Sequence, residues 1–417
     1  MSKYIIETSS DLNGDVEISG SKNSALPILC ASILCSGVSV FANIPDLSDI
    51  SVMIEILQEL GCSVVKNNGV CTVDSTGAKS NPVSFEVAGK IRASFLVAGP
   101  LLSRFGHVRL SLPGGCAIGS RPVDLHIKGL KALGADCRIS DGYVDMKCNR
   151  LIGNHIYLDF PSVGATQNIL MAATLAEGTT IIENCASEPE VCDLIAYLNA
   201  CGAKIYGSGT DRITVIGTNE LRGCKYSVIS DRIEAGTYMI AAAAAGGNIR
   251  LKNTDSSHLS SVISKLKEVG VGVNEFGSEL SVTSSGIMNP TDVKTLPFPG
   301  FPTDMQAQFA ALLCNIGGTS VITETVFENR FMYIPELIRM NADIKLDGRT
   351  AIINGKSSLV GAKVKSTDLR AGAALVIAGL SANGRTVVED DSDYIKRGYC
   401  DFVRKLKLLG ANIEEVL

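Results

Sequence analysis

The chain holds thirteen cysteines and only four histidines, and one cysteine stands where a thiol can do chemistry. The run Pro113-Gly114-Gly115-Cys116-Ala117-Ile118-Gly119-Ser120-Arg121-Pro122 separates a β-like stretch, Val108 to Leu112, from a helical one, Val123 to Leu133. Three glycines around a cysteine make a flexible loop and poor core material, and Arg121 close by favours the reactive thiolate. On its own, the loop reads more readily as an incidental surface thiol. A cysteine protease is disfavoured, because none of His107, His126, His155 and His258 falls in a partner motif. Few histidines and no CxxC pair also argue against metal catalysis. Cys30, Cys35, Cys192, Cys201 and Cys314 lie in apolar, helix-like runs and read as small core residues of a chain in a reducing compartment.

A second set of residues breaks a local rule. Lys22-Asn23, Lys90-Ile91-Arg92, Asp231-Arg232, Thr303-Asp304 and Asp368-Leu369-Arg370 stand where apolar helical stretches begin. A helix start carries partial positive charge and unpaired N–H groups, so it attracts anions and favours Asp, Ser or Thr as caps. Capping accounts for Asp231 or Asp304. It does not account for Lys and Arg, which oppose the dipole, and such a conflict marks a candidate anion site.

The elements that must position these residues repeat six times. Segments opening near Asn23, Arg92, Gly164, Glu234, Asp304 and Arg370 recur every 66 to 72 residues, close to one sixth of the 417-residue chain. Each runs into an Ala/Leu/Ile-rich helix, a short strand and a second helix that stops at Leu60-Gly61, Leu133-Gly134, Cys201-Gly202, Val269-Gly270, Met340-Asn341 or Leu409-Gly410. Gly and Asn tolerate the left-handed backbone that ends a helix. Two β-runs precede several first helices; Tyr4 to Glu7 and Val16 to Ile18 are expected to flank a turn at Asn13-Gly14. A unit of about 70 residues buries little alone, so two domains of three units each are expected, dividing near Asp211 to Asp231. First helices apolar all round, such as Ala235 to Ala245, belong inside with the sheets outside. Their N-termini are then expected to converge on a cleft between the domains.

Composition excludes other classes. At 46% apolar and 19% charged residues the chain is not a disordered one. A net charge of −5, from 38 basic and 43 acidic residues without a basic stripe, argues against a nucleic-acid partner. With 41 glycines, 5% aromatic residues and no Trp, the core must be aliphatic. The longest apolar run, Tyr238 to Gly246, is too short to span a bilayer, and the start lacks a signal-peptide pattern. A soluble, cytoplasmic protein without membrane insertion is expected.

Several motifs carry a resemblance. Ser19-Gly20-Ser21-Lys22-Asn23, the Pro113 to Pro122 loop continuing through Val123-Asp124-Leu125-His126, Phe301-Pro302-Thr303-Asp304-Met305-Gln306-Ala307-Gln308, Glu324-Thr325-Val326-Phe327-Glu328-Asn329-Arg330-Phe331 and Thr367-Asp368-Leu369-Arg370 resemble the UDP-N-acetylglucosamine 1-carboxyvinyltransferases, or enolpyruvyl transferases. The match runs from the first strand to the last helix. It implies an α/β fold of two inside-out α/β barrel domains, each of three βαβαββ-type units, with the active site in the interdomain cleft. Residues 22–230 would form the first domain, and 1–21 with 231–417 the second. The implied reaction moves the enolpyruvyl group of phosphoenolpyruvate to the 3′-hydroxyl of UDP-N-acetylglucosamine and releases phosphate, the first committed step of peptidoglycan synthesis. No metal or organic cofactor is implied.

The resemblance also implies roles. The thiol at Cys116 would protonate the enolpyruvyl methylene, and Asp304 would be the base on the sugar hydroxyl. Lys22, Arg121 and Arg397, with Asn23 beside them, would bind the phosphate and carboxylate of phosphoenolpyruvate, for which guanidinium groups offer paired hydrogen bonds. Arg92, Arg121, Pro122, Val123, Asp124, Leu125, Ser162, Val163, Gly164, Asp304 and Val326 would contact the nucleotide sugar, and Arg330, Asp368 and Arg370 would complete the charged cleft. Phe160 stands where some relatives place a basic residue. The implied fosfomycin target is the Cys116 thiol. Two alternatives have less support: the shikimate-pathway carboxyvinyltransferase, which has no reason for the Arg-Pro-Val-Asp-Leu motif, and a noncatalytic repeat scaffold, which has no reason to keep the charged set.

Overall fold

The computed structural model describes residues 2–81, 83–112, 123–284, 287–355 and 359–416. Backbone contacts divide them into two units: residues 20–112 with 123–229, and residues 2–19 with 230–416. Each unit is a threefold repetition of helix, strand, helix and hairpin.

The first helices open at the six expected places. In one unit they are Lys22–Ala31, the 3-10 turn Arg92–Val97 running into Ala98–Phe105, and Val163–Ala173. In the other they are Arg232–Ala245, the turn Thr303–Met305 running into Gln306–Leu313, and Leu369–Ser381. Unbroken runs such as Ile233 to Ala243 and Arg370 to Leu380 are buried on every side, as an all-round apolar helix requires. Small residues let these helices approach closely: a Cβ on Gly99 would overlap the Asn168 carbonyl. This is why so large a core contains so few aromatic rings.

The second helices carry one apolar face onto the first and stop as their sequences predict. Gly61, Gly134, Gly202, Gly270, Asn341 and Gly410 all have positive φ, between 70° and 105°, the left-handed conformation that releases the chain from a helix.

Five of the sheets built on the units have four strands: an edge strand parallel to the strand after the first helix, then, in four of the five, the two strands that follow the second helix in reversed sequence order; in the fifth, Ser2–Ile6 takes the inner place. Val293–Lys294, Gly318–Thr323, Thr350–Gly355 and Ile344–Asp347 form one such sheet. Around His107–Ser111 only three strands are present among the described residues.

The N-terminal segment corrects one expectation. Asn13 and Gly14 do not turn; they lie inside the strand Leu12–Glu17, which runs parallel to Gly247–Lys252. The strand Ser2–Ile6 belongs to a different sheet, between Thr386–Asp390 and Ile413–Val416. The Asn-Gly signal is local, whereas each of these strands takes partners more than 200 residues away. Two cysteines also differ: Cys35 lies in a short strand rather than a helix, and Cys192 is half-buried. No helix among the described residues is long and apolar enough to cross a membrane.

Candidate active site

In the unit of residues 2–19 and 230–416, the expected base has its geometry fixed. Asp304 lies inside the turn Thr303–Met305, past its N-cap position Pro302, so it does not cap the turn as its place in the sequence suggests. Arg330 Nη2 donates to Oδ1 at 2.7 Å. Arg370 Nη2 and Nε donate to Oδ2 at 3.0 and 3.3 Å. Both guanidinium side chains are almost wholly buried, while the carboxylate keeps some exposure. Burial alone would raise the Asp304 pKa; the charges and hydrogen bonds of Arg330 and Arg370 outweigh it and hold the carboxyl well below its ordinary range.

The two arginines are themselves aimed. Arg330 lies over the Phe327 ring, 5.1 Å from its centroid, and donates from Nη1 to Thr303 Oγ1 at 3.2 Å. Thr303 in turn donates to Glu324, whose other oxygen accepts from Thr295 Oγ1 and from the backbone N–H groups of Val326 and Phe327. Arg370 lies 5.3 Å from the centroid of the Tyr399 ring. Gln308 Nε2 donates to the Asp304 carbonyl and to Tyr399 Oη, at 2.9 and 3.1 Å. Asp368 is the N-cap of the Leu369–Ser381 helix, accepting from the N–H groups of Arg370 and Ala371. Arg397 is half-buried in the last turn of Tyr394–Gly398.

In the other unit, Lys22 opens its helix against the dipole because a carboxylate awaits it. Its Nζ lies 3.1 Å from Oδ2 of Asp49, in the first turn of the helix Ser48–Glu59, and both side chains are about nine-tenths buried. Asn23 beside it is half-buried.

A second cluster joins Arg92, at the start of its 3-10 turn, to His126 on the helix Asp124–Ala132. Burial first, and the Arg92 charge second, push the His126 pKa down to about 3, so the ring is neutral. Its Nδ1 is 3.0 Å from Asn168 Nδ2. A Cβ on Gly164 would press against the same ring at 3.2 Å. Ser162 caps the helix that Gly164 enters, accepting from Ala165 N at 3.3 Å. Val163 and Leu125 are half-buried, Asp124 is exposed, Val123 is buried and Phe160 is 42% exposed. Cys116, Arg121 and Pro122 lie outside the described residues.

Sequence reasoning thus missed Asp49, His126 as a neighbour of Arg92, and the supporting set Thr303, Glu324, Gln308 and Tyr399. Thr303, Glu324, Gln308 and His126 stood inside the motifs that carry the resemblance. Asp49 looked like an ordinary acidic residue in a first helical turn, and nothing in its spacing pairs it with Lys22.

This architecture is shared with known proteins. The family model for EPSP synthase (3-phosphoshikimate 1-carboxyvinyltransferase) matches residues 6–406. The enolpyruvyl transferase NikO from Streptomyces tendae superposes with a TM-score of 0.91 at 26% identity, covering 100% of this chain and 99% of its own. An EPSP synthase from Acinetobacter baumannii shares the fold, with a TM-score of 0.78 at 18% identity over both whole chains. The UDP-N-acetylglucosamine 1-carboxyvinyltransferase 2 of Carboxydothermus hydrogenoformans is 53% identical over 418 residues, all of both chains. The UDP-N-acetylglucosamine 1-carboxyvinyltransferase 1 of Caldanaerobacter subterraneus subsp. tengcongensis is 52% identical over 411 residues, 99% of each. With a matching family model over almost its whole length and half its residues shared with these relatives, the chain belongs to the carboxyvinyltransferases and, among them, to the UDP-N-acetylglucosamine 1-carboxyvinyltransferase family.

Proposed function

We propose that the chain transfers the enolpyruvyl group of phosphoenolpyruvate to the 3′-hydroxyl of UDP-N-acetylglucosamine, releasing phosphate, as the first committed step of peptidoglycan synthesis. The observation that carries this reading is the identity of about half the residues to enzymes of that name over the whole chain. Its wider consequences, a cytoplasmic location and a part in cell shape and division, follow from the same reading. Residues 22–230 act as one domain, and 1–21 with 231–417 as the other.

The reaction needs an acid, a base and cations. The sugar oxygen attacks C2 of phosphoenolpyruvate as its C3 methylene gains a proton, giving a tetrahedral phospholactoyl adduct that then loses phosphate and a proton. Asp304 is the base. Each of its oxygens already accepts from one arginine, yet a carboxylate oxygen has two lone pairs, so a sugar hydroxyl can be accommodated. Held below its ordinary pKa, the carboxylate is a weak base until substrate anions draw charge from Arg330 or Arg370; binding both substrates therefore strengthens it. Cys116 is the acid on the methylene, and its thiol is the group that fosfomycin alkylates.

Lys22, Asn23, Arg121 and Arg397 bind phosphoenolpyruvate. The nucleotide sugar is bound by Arg92, the run Arg121-Pro122-Val123-Asp124-Leu125, Ser162, Val163, Gly164 and Val326. Asp368 acts through the helix cap that aims Arg370. A phosphate-release assay omitting each substrate in turn tests the reaction. Release that requires UDP-N-acetylglucosamine supports it; release with shikimate 3-phosphate instead would overturn it in favour of the activity named by the wider family model.

A further inference from the structure

Three cysteines that the proposed reaction does not use, Cys35, Cys201 and Cys224, lie close together in the unit of residues 20–112 and 123–229. Cys35 begins the short strand Cys35–Ser36 and is wholly buried. Cys201 ends the helix Pro189–Ala200 and is 4% exposed. Cys224 is half-buried, immediately before the strand Lys225–Ser227. Cys201 Sγ lies 3.5 Å from Cys224 Sγ. Cys35 Sγ is 3.5 Å from Tyr197 Oη, which lies 3.0 Å from Ser39 Oγ.

The backbone holds this cluster together rather than leaving it to side-chain rotation. Arg222 N donates to the Cys201 carbonyl at 2.9 Å, and Val40 N to the Cys224 carbonyl at 2.9 Å. Leu221 and Cys35 are registered partners in a parallel pair. Leu34, Ser36, Arg104, Glu220 and Leu221 line a cavity of about 650 Å³, so the chain neighbours of Cys35 reach open space.

We propose that Cys201 and Cys224 are a redox pair, closing to a reversible disulfide when the protein meets a peroxide. The half-exposed Cys224 sulfur attacks the terminal peroxide oxygen, the O–O bond breaks, and water or an alcohol leaves with a proton as Cys224 becomes a sulfenic acid. Cys201 sulfur then displaces hydroxide from Cys224 sulfur. The Cys201 proton goes to the departing hydroxide, which leaves as water, and the S–S bond has formed at the cost of the peroxide bond. Burial raises the Cys224 pKa, so its selection rests on access and on a resolving sulfur only 3.5 Å away.

The crosslink would tie the end of the Pro189–Ala200 helix to the segment entering Lys225–Ser227. These elements are already joined by Tyr226 Oη donating to Asp193 Oδ1 at 2.5 Å, so closure adds to an existing contact.

The test is peptide mapping of the full chain, purified with reductant, exposed to hydrogen peroxide and digested without reduction. The proposal expects a peptide pair joined through Cys201 and Cys224, cleaved by a thiol reductant, with a raised melting temperature in the oxidised form. Both should be lost in Cys224→Ser and kept in Cys35→Ala. Mapping of the wild-type chain stands even where a variant folds poorly. Cys224 recovered as sulfinic acid beside a free Cys201 thiol, or a link between Cys35 and Cys201 with Cys224 reduced, would overturn it.

Discussion

The Lys22 ammonium and the Asp49 carboxylate meet at 3.1 Å with about nine-tenths of each side chain withdrawn from water. Removing one partner of a buried ion pair destabilises a fold. Asp49→Asn is therefore expected to lower stability in urea denaturation and to change the KM for phosphoenolpyruvate through Lys22. Unchanged values of both would show that the pair does not position the ammonium.

Asp304→Asn removes the proposed base while keeping the size of the side chain. Turnover is expected to fall by about 10²–10⁴-fold, with binding of UDP-N-acetylglucosamine largely kept in calorimetry. Because Arg330 and Arg370 depress the Asp304 pKa, the wild-type rate should show no acid limb from this group near pH 4 to 5, values close to the ordinary range of about 3.9. Arg330→Met should bring that limb into view.

His126 titrates at about 3, against about 6.5 when unfolded. The unfolded chain therefore takes up the proton first on acidification. Stability from this group is complete above about pH 6.5 and falls as pH drops toward 3, with a slope approaching about 1.4 kcal/mol per pH unit. His126→Gln should flatten that part of the stability profile. An unchanged profile would show that the ring is not buried neutral.

Asn341 is the one helix stop of the six that is not glycine, at φ 70°. A side chain in left-handed backbone is strained, less so for Asn than for others. Asn341→Gly should be neutral or stabilise by up to about 1 kcal/mol, and Gly410→Ala, at φ 92°, should destabilise by at least as much, both read from thermal melts.

Cys116→Ser should impair turnover or product release with fold and nucleotide binding nearly intact. Mass spectrometry after fosfomycin treatment should show an adduct on the wild-type thiol and none at residue 116 in the variant; full activity in the variant would remove Cys116 from its role.

How much of this was legible follows from how local each signal is. A helix stop is written in one residue, so Gly61 and Asn341 could be read directly. A buried helix is written in a dozen, so Arg232–Ala245 announced itself. Strand pairing is written nowhere locally: Asn13-Gly14 carries a hairpin signal, yet Leu12–Glu17 lies beside Gly247–Lys252. Within the site, Asp304, Arg330 and Arg370 could be named from motif resemblance, and they meet within 3.3 Å. Asp49 and Tyr399 could not, since their importance lies wholly in which distant side chain they touch.

The placement of Ser2–Ile6 sets a timetable for the growing polypeptide. Its register pairs Ser2 with Asp390 and Lys3 with Val416, so this strand, once made, waits until both of its neighbours have followed it. At about 5–20 residues per second that wait is on the order of tens of seconds, during which residues 20–112 and 123–229 can cluster with one another. Removing Ser2–Ile6 would accordingly cut the link between Thr386–Asp390 and Ile413–Val416.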